Sequence, residues 1–276
     1  MANQDTAAPI AEHYGTGDLT AQVGAALRRA GLDRGQVAWS DLAPLDQFHV
    51  RGLAATGELA RGLELAPGAT VLDVGCGLGG PARHLAAECA ARVTGIDLSQ
   101  PFVDVARMLT ERCGLADRVQ FRQADALDLP FADASFDHAW TQHVAMNIAG
   151  RDRLYRSIHR VLKPGGRLAI YDVVAGEGPV LFPVPWARGP EISHLLTAEA
   201  MAEVLGRNGF RQVAWADRSA AGQAWFQAQA ARPAAPPPVL GLQVVMGPEF
   251  PAMFANLGRN LAEGRVRLIQ AILAAL

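Results

Sequence analysis

The sequence is poor in charge and poorer still in lysine. Only 19% of its 276 residues are charged, and 25 Lys+Arg stand against 27 Asp+Glu, a formal net charge of −2. A nucleic-acid binder usually carries a basic surplus, so the balance argues against that class. Lys163 is the sole lysine; with the abundant alanine, the arginine-for-lysine usage reads as coding bias rather than as a binding surface. Cysteine is scarce and odd in number. Cys76, Cys89 and Cys113 show no paired spacing, so neither a disulfide framework nor a metal cluster is implied. No stretch approaches the roughly 18 unbroken apolar residues of a membrane span. The start, MANQDTAAPI, has neither a basic nor an apolar leader region, and no signal peptide is read there. A cytoplasmic protein with no membrane partner is the expectation.

Half of the residues are hydrophobic, enough to bury a real core and to exclude wholesale disorder. Residues 1–65 read as a helical cap or lid. Gln22–Leu32 and Phe48–Leu65 carry helical spacing, the latter weakened by its glycines. From Pro67 the rhythm changes. ATVLDVG, RVTGIDLS, RVQFRQAD, SFDHAWTQH and GRLAIYDVV read as strands, with helical patterns after the first, second and fourth. That alternation predicts a doubly wound, mostly parallel α/β sheet, a Rossmann-like fold over residues 66–276. FRQVAWADR is a sixth strand, and LGLQVVM is a candidate closing strand. Residues 178–197 form a Pro-rich, lid-like insertion, and 231–239 a Pro-rich connector. The segment from Pro251 onward reads as one or two amphipathic helices. Leu268, Ile269, Ile272 and Leu273 would pack on the core or join two subunits of a homodimer.

The most informative segment is VLDVGCGLGG, Val71 to Gly80. A Gly-rich turn after a strand lets a ligand approach the backbone closely. Asp97 lies about twenty residues beyond, where a carboxylate can grip ribose hydroxyls. Two cofactors compete for this pattern. Gly75, Gly77 and Gly80 satisfy G-x-G-x-x-G, which suits a dinucleotide and an oxidoreductase. Gly75, Gly77 and Gly79, preceded by Asp73, satisfy D-x-G-x-G. A carboxylate beside a pyrophosphate is unfavourable, whereas beside an ammonium and a sulfonium it is favourable. Asp73 therefore tilts the choice toward S-adenosyl-L-methionine.

VLDVGCGLGG, GIDLS, QADALDLPF, FDHAW and RVLKPGGRLAIYD resemble the successive motifs of class I S-adenosylmethionine-dependent methyltransferases, over about Pro67 to Arg218. HYGTGDL, DLAPLDQFHVRGLAATGELA, TQHVAMNI and PVPWA are similar to the branch containing sarcosine and dimethylglycine N-methyltransferases. The resemblance implies a seven-stranded methyltransferase sheet, to which the terminal apolar pattern adds a C-terminal helix. It implies that Asp73, Gly75, Gly77 and Gly79 shape the pocket for the methionine part of the cofactor. Asp97 would bind both ribose hydroxyls, with Leu98 against the adenine. Asp125 and the Ala126 amide would recognise the adenine amino group. Gln142 would lie near the methionyl part, and Tyr14 would close over the cofactor.

The acceptor should bind outside the carboxyl ends of the strands. His143, Gln142 and Asn147 are polar residues in the apolar TQHVAMNI and need partners if buried. His143 is read as an orienting group or proton acceptor, His49 as a second candidate base, since an imidazole titrates near neutrality. Gln47 beside His49, Tyr171 at the end of strand five, and Trp186 and His194 in the Pro-rich loop complete the substrate candidates. Each has a plainer reading as a core or surface residue. His138 and His143 are five apart without a third ligand at a usable spacing, so no metal is expected. The expected partner is a small-molecule methyl acceptor, favoured as an amine of a glycine-derivative kind. A C- or O-methyl acceptor from hydrophobic secondary metabolism is the alternative.

Overall fold

The computed structural model describes residues 18–232 and 238–276. The described residues begin with the helices α1 (Leu19–Arg29), α2 (Ala43–Asp46) and α3 (Gly52–Leu63). The Asp18 carboxylate caps α1 by accepting the Ala21 N–H at 2.9 Å, which satisfies one of the helix's orphan donors. There follow β1 (Thr70–Val74), α4 (Gly80–Glu88), β2 (Arg92–Asp97), α5 (Gln100–Arg112), β3 (Val119–Gln123) and β4 (Phe136–Gln142). Then come α6 (Arg151–Val161), β5 (Leu162–Ala175), α7 (Ala198–Arg207), β6 (Phe210–Asp217), α8 (Ser219–Ala230), α9 (Gln243–Met246), α10 (Phe250–Ala262) and β7 (Val266–Ala275).

The seven strands form one sheet in the order β3-β2-β1-β4-β5-β7-β6. The first five positions are parallel, and β7 runs antiparallel between β5 and β6. Strand residues alternate between two cores, as the two-residue period of a strand requires. Val71, Ala169 and Leu268 face the side of α3–α5, whereas Leu72, Leu168, Ile170 and Ile269 face α6 and α7. The strand order reverses between β1 and β4, which opens a crevice at their carboxyl ends.

Two expectations are corrected. Leu268, Ile269, Ile272 and Leu273 lie in strand β7, not in a terminal helix; the last helix, α10, precedes them. LGLQVVM is not the closing strand, because Gln243–Met246 is helical. β7 is buried on both faces and bonded on both edges. It therefore reads as a continuous apolar run, which periodicity alone cannot tell from a buried helix.

Residues 178–197 contain little regular structure but are firmly held. Val184, Trp186 and Ala187 are buried. The Asn260 amide bonds both the N–H and the carbonyl of Leu181 at 2.8 and 2.9 Å, and Asn256 donates to the Pro183 carbonyl at 3.0 Å. This segment is bolted to α10.

Candidate active site

The crevice is a cavity of about 710 Å³, within the size range of small-molecule sites. At its floor, β1 ends in the Gly-rich turn. Gly75 has φ +70°, and a Cβ there would meet Val144 at 2.5 Å; Gly77 has φ +54°. Only glycine holds this turn without strain, and the missing side chains leave backbone open to a ligand. The Gly77 N–H donates to Asp97 Oδ2 at 3.0 Å and the Ser99 N–H to Oδ1 at 2.9 Å. Asp97 is thereby fixed at the end of β2, facing the cavity.

Asp73 is buried at the end of β1, and its Oδ2 has no hydrogen-bond partner among the described residues. Burial, and then the neighbouring Asp97, push its carboxyl up to about 8. Burial also raises Asp97. Two carboxylates crowded into one low-dielectric floor fit a cationic ligand and repel a pyrophosphate. S-adenosylmethionine, with its ammonium and sulfonium, meets that test. Asp125, Ala126, Leu98 and Gln142 also line the cavity, and Asp125 Oδ1 accepts the Leu127 N–H at 2.9 Å. Gly79 is not at the cavity surface. It precedes α4 at φ +79°, where a Cβ would strike Phe121 and Arg83. Tyr14 lies outside the described residues.

Gly80 explains why the dinucleotide pattern appears. A Cβ there would lie 2.5 Å from Asp46 Oδ1 and 2.6 Å from the Asp46 carbonyl. This glycine admits α2, not a phosphate.

On the other side, His49 and His143 line the cavity together. Their ring centroids are 6.0 Å apart, and the Tyr171 ring lies 6.0 Å from His49 and 5.1 Å from His143. His143 holds a left-handed φ of 52°, uncommon for a non-glycine residue and a mark of functional turns. His49 Nε2 lies 2.9 Å from the Gly52 carbonyl and 2.9 Å from Thr56 Oγ1. A carbonyl only accepts, so Nε2 carries the proton and Nδ1 keeps its lone pair. Burial lowers His49 to about 4 and drives His143 well below the usual imidazole range. Both rings are therefore neutral at pH 7.

Thr56 ties this cluster together. Its hydroxyl lies 2.7 Å from Gln47 Oε1 and 3.2 Å from Gln142 Oε1, which also accepts the Trp140 indole N–H at 3.1 Å. Gln47 and Gln142 both line the cavity. The Asn147 side chain is spent on the loop, donating to the carbonyls of Trp186 at 2.7 Å and Ile192 at 3.0 Å. Trp186 forms part of the wall, with its indole N–H donated to Ser193 Oγ at 2.9 Å. Tyr171 sits behind His143. His194 lies outside the lining, tied through its backbone N–H to the Met146 carbonyl at 2.7 Å.

The outer wall escaped sequence reasoning. Trp225 and Phe226 of α8 and Phe250 and Phe254 of α10 face the cavity, with Met246 and Leu257 beside them. Their aromatic centroids are 4.8 to 5.7 Å apart. The doublet WF and the four-residue spacing of Phe250 and Phe254 were the only local signals. Arg51 and Thr56 were missed too.

Residues 72–170 match the methyltransferase-domain family model. The chain is 33% identical to the O-methyltransferase resE of Aspergillus sclerotiorum, over 65% of this chain and 69% of that one. It is 43% identical to the methyltransferase GfsG of Streptomyces halstedii, with the match covering 49% of each chain. The match thus spans about half the length of that relative. The solved structure of the [4+2]-cyclase SpnF superposes with a TM-score of 0.64 at 27% identity, over 98% of this chain and 97% of the other. The chain belongs to the class I S-adenosylmethionine-dependent methyltransferases, as the motif series implied, and the dinucleotide reading falls.

Proposed function

We propose that this protein methylates an oxygen nucleophile on an apolar small molecule. The observation that carries the reading is the lining of the cavity, which joins a four-ring aromatic wall and two neutral imidazoles. The amine acceptor favoured from sequence gives way to the hydrophobic alternative. A small glycine derivative has too little apolar surface to use Trp225, Phe226, Phe250 and Phe254. The O-methyltransferase activity named for resE supports the same direction.

The cofactor, when bound, supplies an electrophilic methyl whose leaving group is a neutral thioether. The chain's tasks are then to align the acceptor, to exclude water and to take up one proton. Asp73, Gly75, Gly77 and Gln142 are assigned to the methionyl end, Asp97 to the ribose, and Leu98, Asp125 and Ala126 to the adenine. His143 or His49 Nδ1 receives the acceptor's hydroxyl proton. Gln47 and Trp186 orient and wall the acceptor. Tyr171 supports His143, and Asn147 holds the loop that carries Trp186.

The test is methyl transfer from labelled cofactor to a panel of phenols, with sarcosine and dimethylglycine alongside. Transfer to the phenols supports the reading, and transfer to the amines alone overturns it. His143→Ala is expected to lower kcat by about 10²–10⁴ while S-adenosylhomocysteine affinity changes little. Equal loss of both would make His143 structural.

Cofactor binding is expected to release a proton. Asp73 is largely protonated at pH 7 in the free protein, because its carboxyl is held near 8. An arriving ammonium favours the carboxylate. Affinity for S-adenosylhomocysteine should therefore rise with pH up to that value and level off above it, by at most about tenfold per pH unit. Calorimetry in buffers of different ionisation enthalpy reads the proton directly. No proton exchange at pH 7 would remove Asp73 from this role.

A further inference from the structure

Arg51 is a cavity-lining residue whose charge and backbone both stand out. It holds a left-handed φ of 69° immediately before α3, a conformation non-glycine residues rarely adopt and one that clusters at ligand sites. Its Nη1 donates to Glu58 Oε2 at 2.7 Å. Glu58 Oε1 is taken by Arg218 at 3.0 Å, and Arg218 Nε donates to Gln270 Oε1 at 3.0 Å. Two guanidinium groups thus share one carboxylate, which leaves an unbalanced positive charge. The bond to Glu58 also leaves Arg51 with donor capacity, since a guanidinium carries five N–H groups in a fixed fork.

The surroundings give that charge a direction. Tyr171 is 1% exposed, and its hydroxyl faces the Arg51 side chain, which acts on it as a hydrogen-bond donor. Arg51, Glu58 and Arg218 are the charged groups that act on it. The His143 ring stacks beside Tyr171, and its Nε2 is buried without a partner among the described residues. His49 completes the cluster, and both imidazoles are neutral. Among the charged groups acting on Tyr171 only Glu58 is anionic, and both Glu58 oxygens are engaged.

We propose that Arg51, backed by Arg218 and bordered by Tyr171 and His143, forms an oxyanion subsite that selects acceptors with an acidic hydroxyl, a phenol or an enol. This rests on the reading of the cavity as a site for apolar oxygen acceptors and narrows it. An aliphatic alcohol stays protonated on binding. A phenol in this corner gives its proton to solvent and is held as the oxyanion.

The probe is 7-hydroxycoumarin, whose phenol and phenolate forms differ in excitation spectrum. It is titrated over a pH series into the full chain saturated with S-adenosylhomocysteine. The bound probe is expected to ionise at least about one pH unit lower than the free probe, as a nearby opposite charge dictates. Arg51→Gln is expected to abolish that shift and Arg51→Lys to keep most of it, each with S-adenosylhomocysteine affinity near wild type. An unshifted bound probe in wild type overturns the subsite, and so does an Arg51→Gln protein that matches wild type.

The neutral 7-methoxycoumarin separates this proposal from the reading beneath it. It is expected to bind wild type about ten- to a hundredfold more weakly than the hydroxyl probe at neutral pH, and Arg51→Gln no more weakly. Equal affinity of both coumarins for wild type overturns the oxyanion subsite and leaves the apolar wall standing. Binding of neither overturns both.

Discussion

Arg83→Met is expected to destabilise the protein by about 3–5 kcal/mol. Arg83 is fully buried on α4, and the Asp46 side chain is 1% exposed. Its guanidinium donates to Asp46 Oδ2 and the Leu78 carbonyl at 2.7 Å, to Thr110 Oγ1 at 2.9 Å and to the Ala106 carbonyl at 3.3 Å. One side chain therefore binds the Gly-rich turn, α5 and α2 together. Removing it strands a buried carboxylate and three buried acceptors, and methionine replaces only the volume. The loss should depend on pH. Burial already pushes Asp46 up to about 6 against the pull of Arg83, and without that partner its carboxyl lies higher still. The folded variant then takes up a proton that the unfolded chain, with a carboxyl at the ordinary value of about 3.9, does not. Stability is regained as pH falls toward that range and lost as pH rises. Urea unfolding followed by tryptophan fluorescence at about pH 5 and about pH 8 measures both effects. Asp46→Asn placed in the Arg83→Met background should recover part of the loss. A single-variant loss below about 1 kcal/mol would put the pair outside the buried class.

Asp97→Ala is expected to weaken S-adenosylhomocysteine binding by about 10²–10⁴-fold, because two charge-assisted bonds to ribose hydroxyls would each contribute about 1.5–3 kcal/mol. The backbone bonds from Gly77 and Ser99 occupy one site on each carboxylate oxygen, and each oxygen retains capacity for a second donor. The same substitution frees the Gly77 N–H, so the Gly-rich turn loosens as well. Asp97→Asn keeps one acceptor oxygen and should fall between the two. Calorimetric titration decides: unchanged affinity in Asp97→Ala would remove this residue from the ribose and leave it as a brace for the turn.

The core of the fold was legible because its signals are local. β1, β2 and β4 are short strands each followed by a helical period, and the carboxylates at the ends of β1 and β2 sit at readable spacing. His49, His143 and Gln142 stood out as polar residues in apolar surroundings. β7 did not, because its identity is set by β5 and β6, far earlier in the sequence, and not by its own pattern. The aromatic wall was hidden for a related reason. Phe254 reads as part of the apolar stripe of an ordinary amphipathic helix, and nothing in the local pattern around Trp225 and Phe226 marks a helix facing a cavity. The packing of α8 against α10 brings these four rings, with Phe250, together at the cavity. Arg51 was masked by the ease with which an arginine is assigned to solvent; the left-handed turn that aims it inward leaves no trace in composition.

The insertion of β7 between β5 and β6 constrains the order in which the molecule can assemble during synthesis. Among the described residues β6 hydrogen-bonds to no strand but β7, so it has no place in the sheet until residues 266–275 have left the ribosome. β5 meanwhile presents an open edge beside its finished partner β4. Such an edge is a template for pairing with another chain. Nascent chains stalled before Val266 should therefore be the species most prone to association and most dependent on chaperones. A ribosome-release series ending on either side of β7 would show solubility rising sharply once that strand is out.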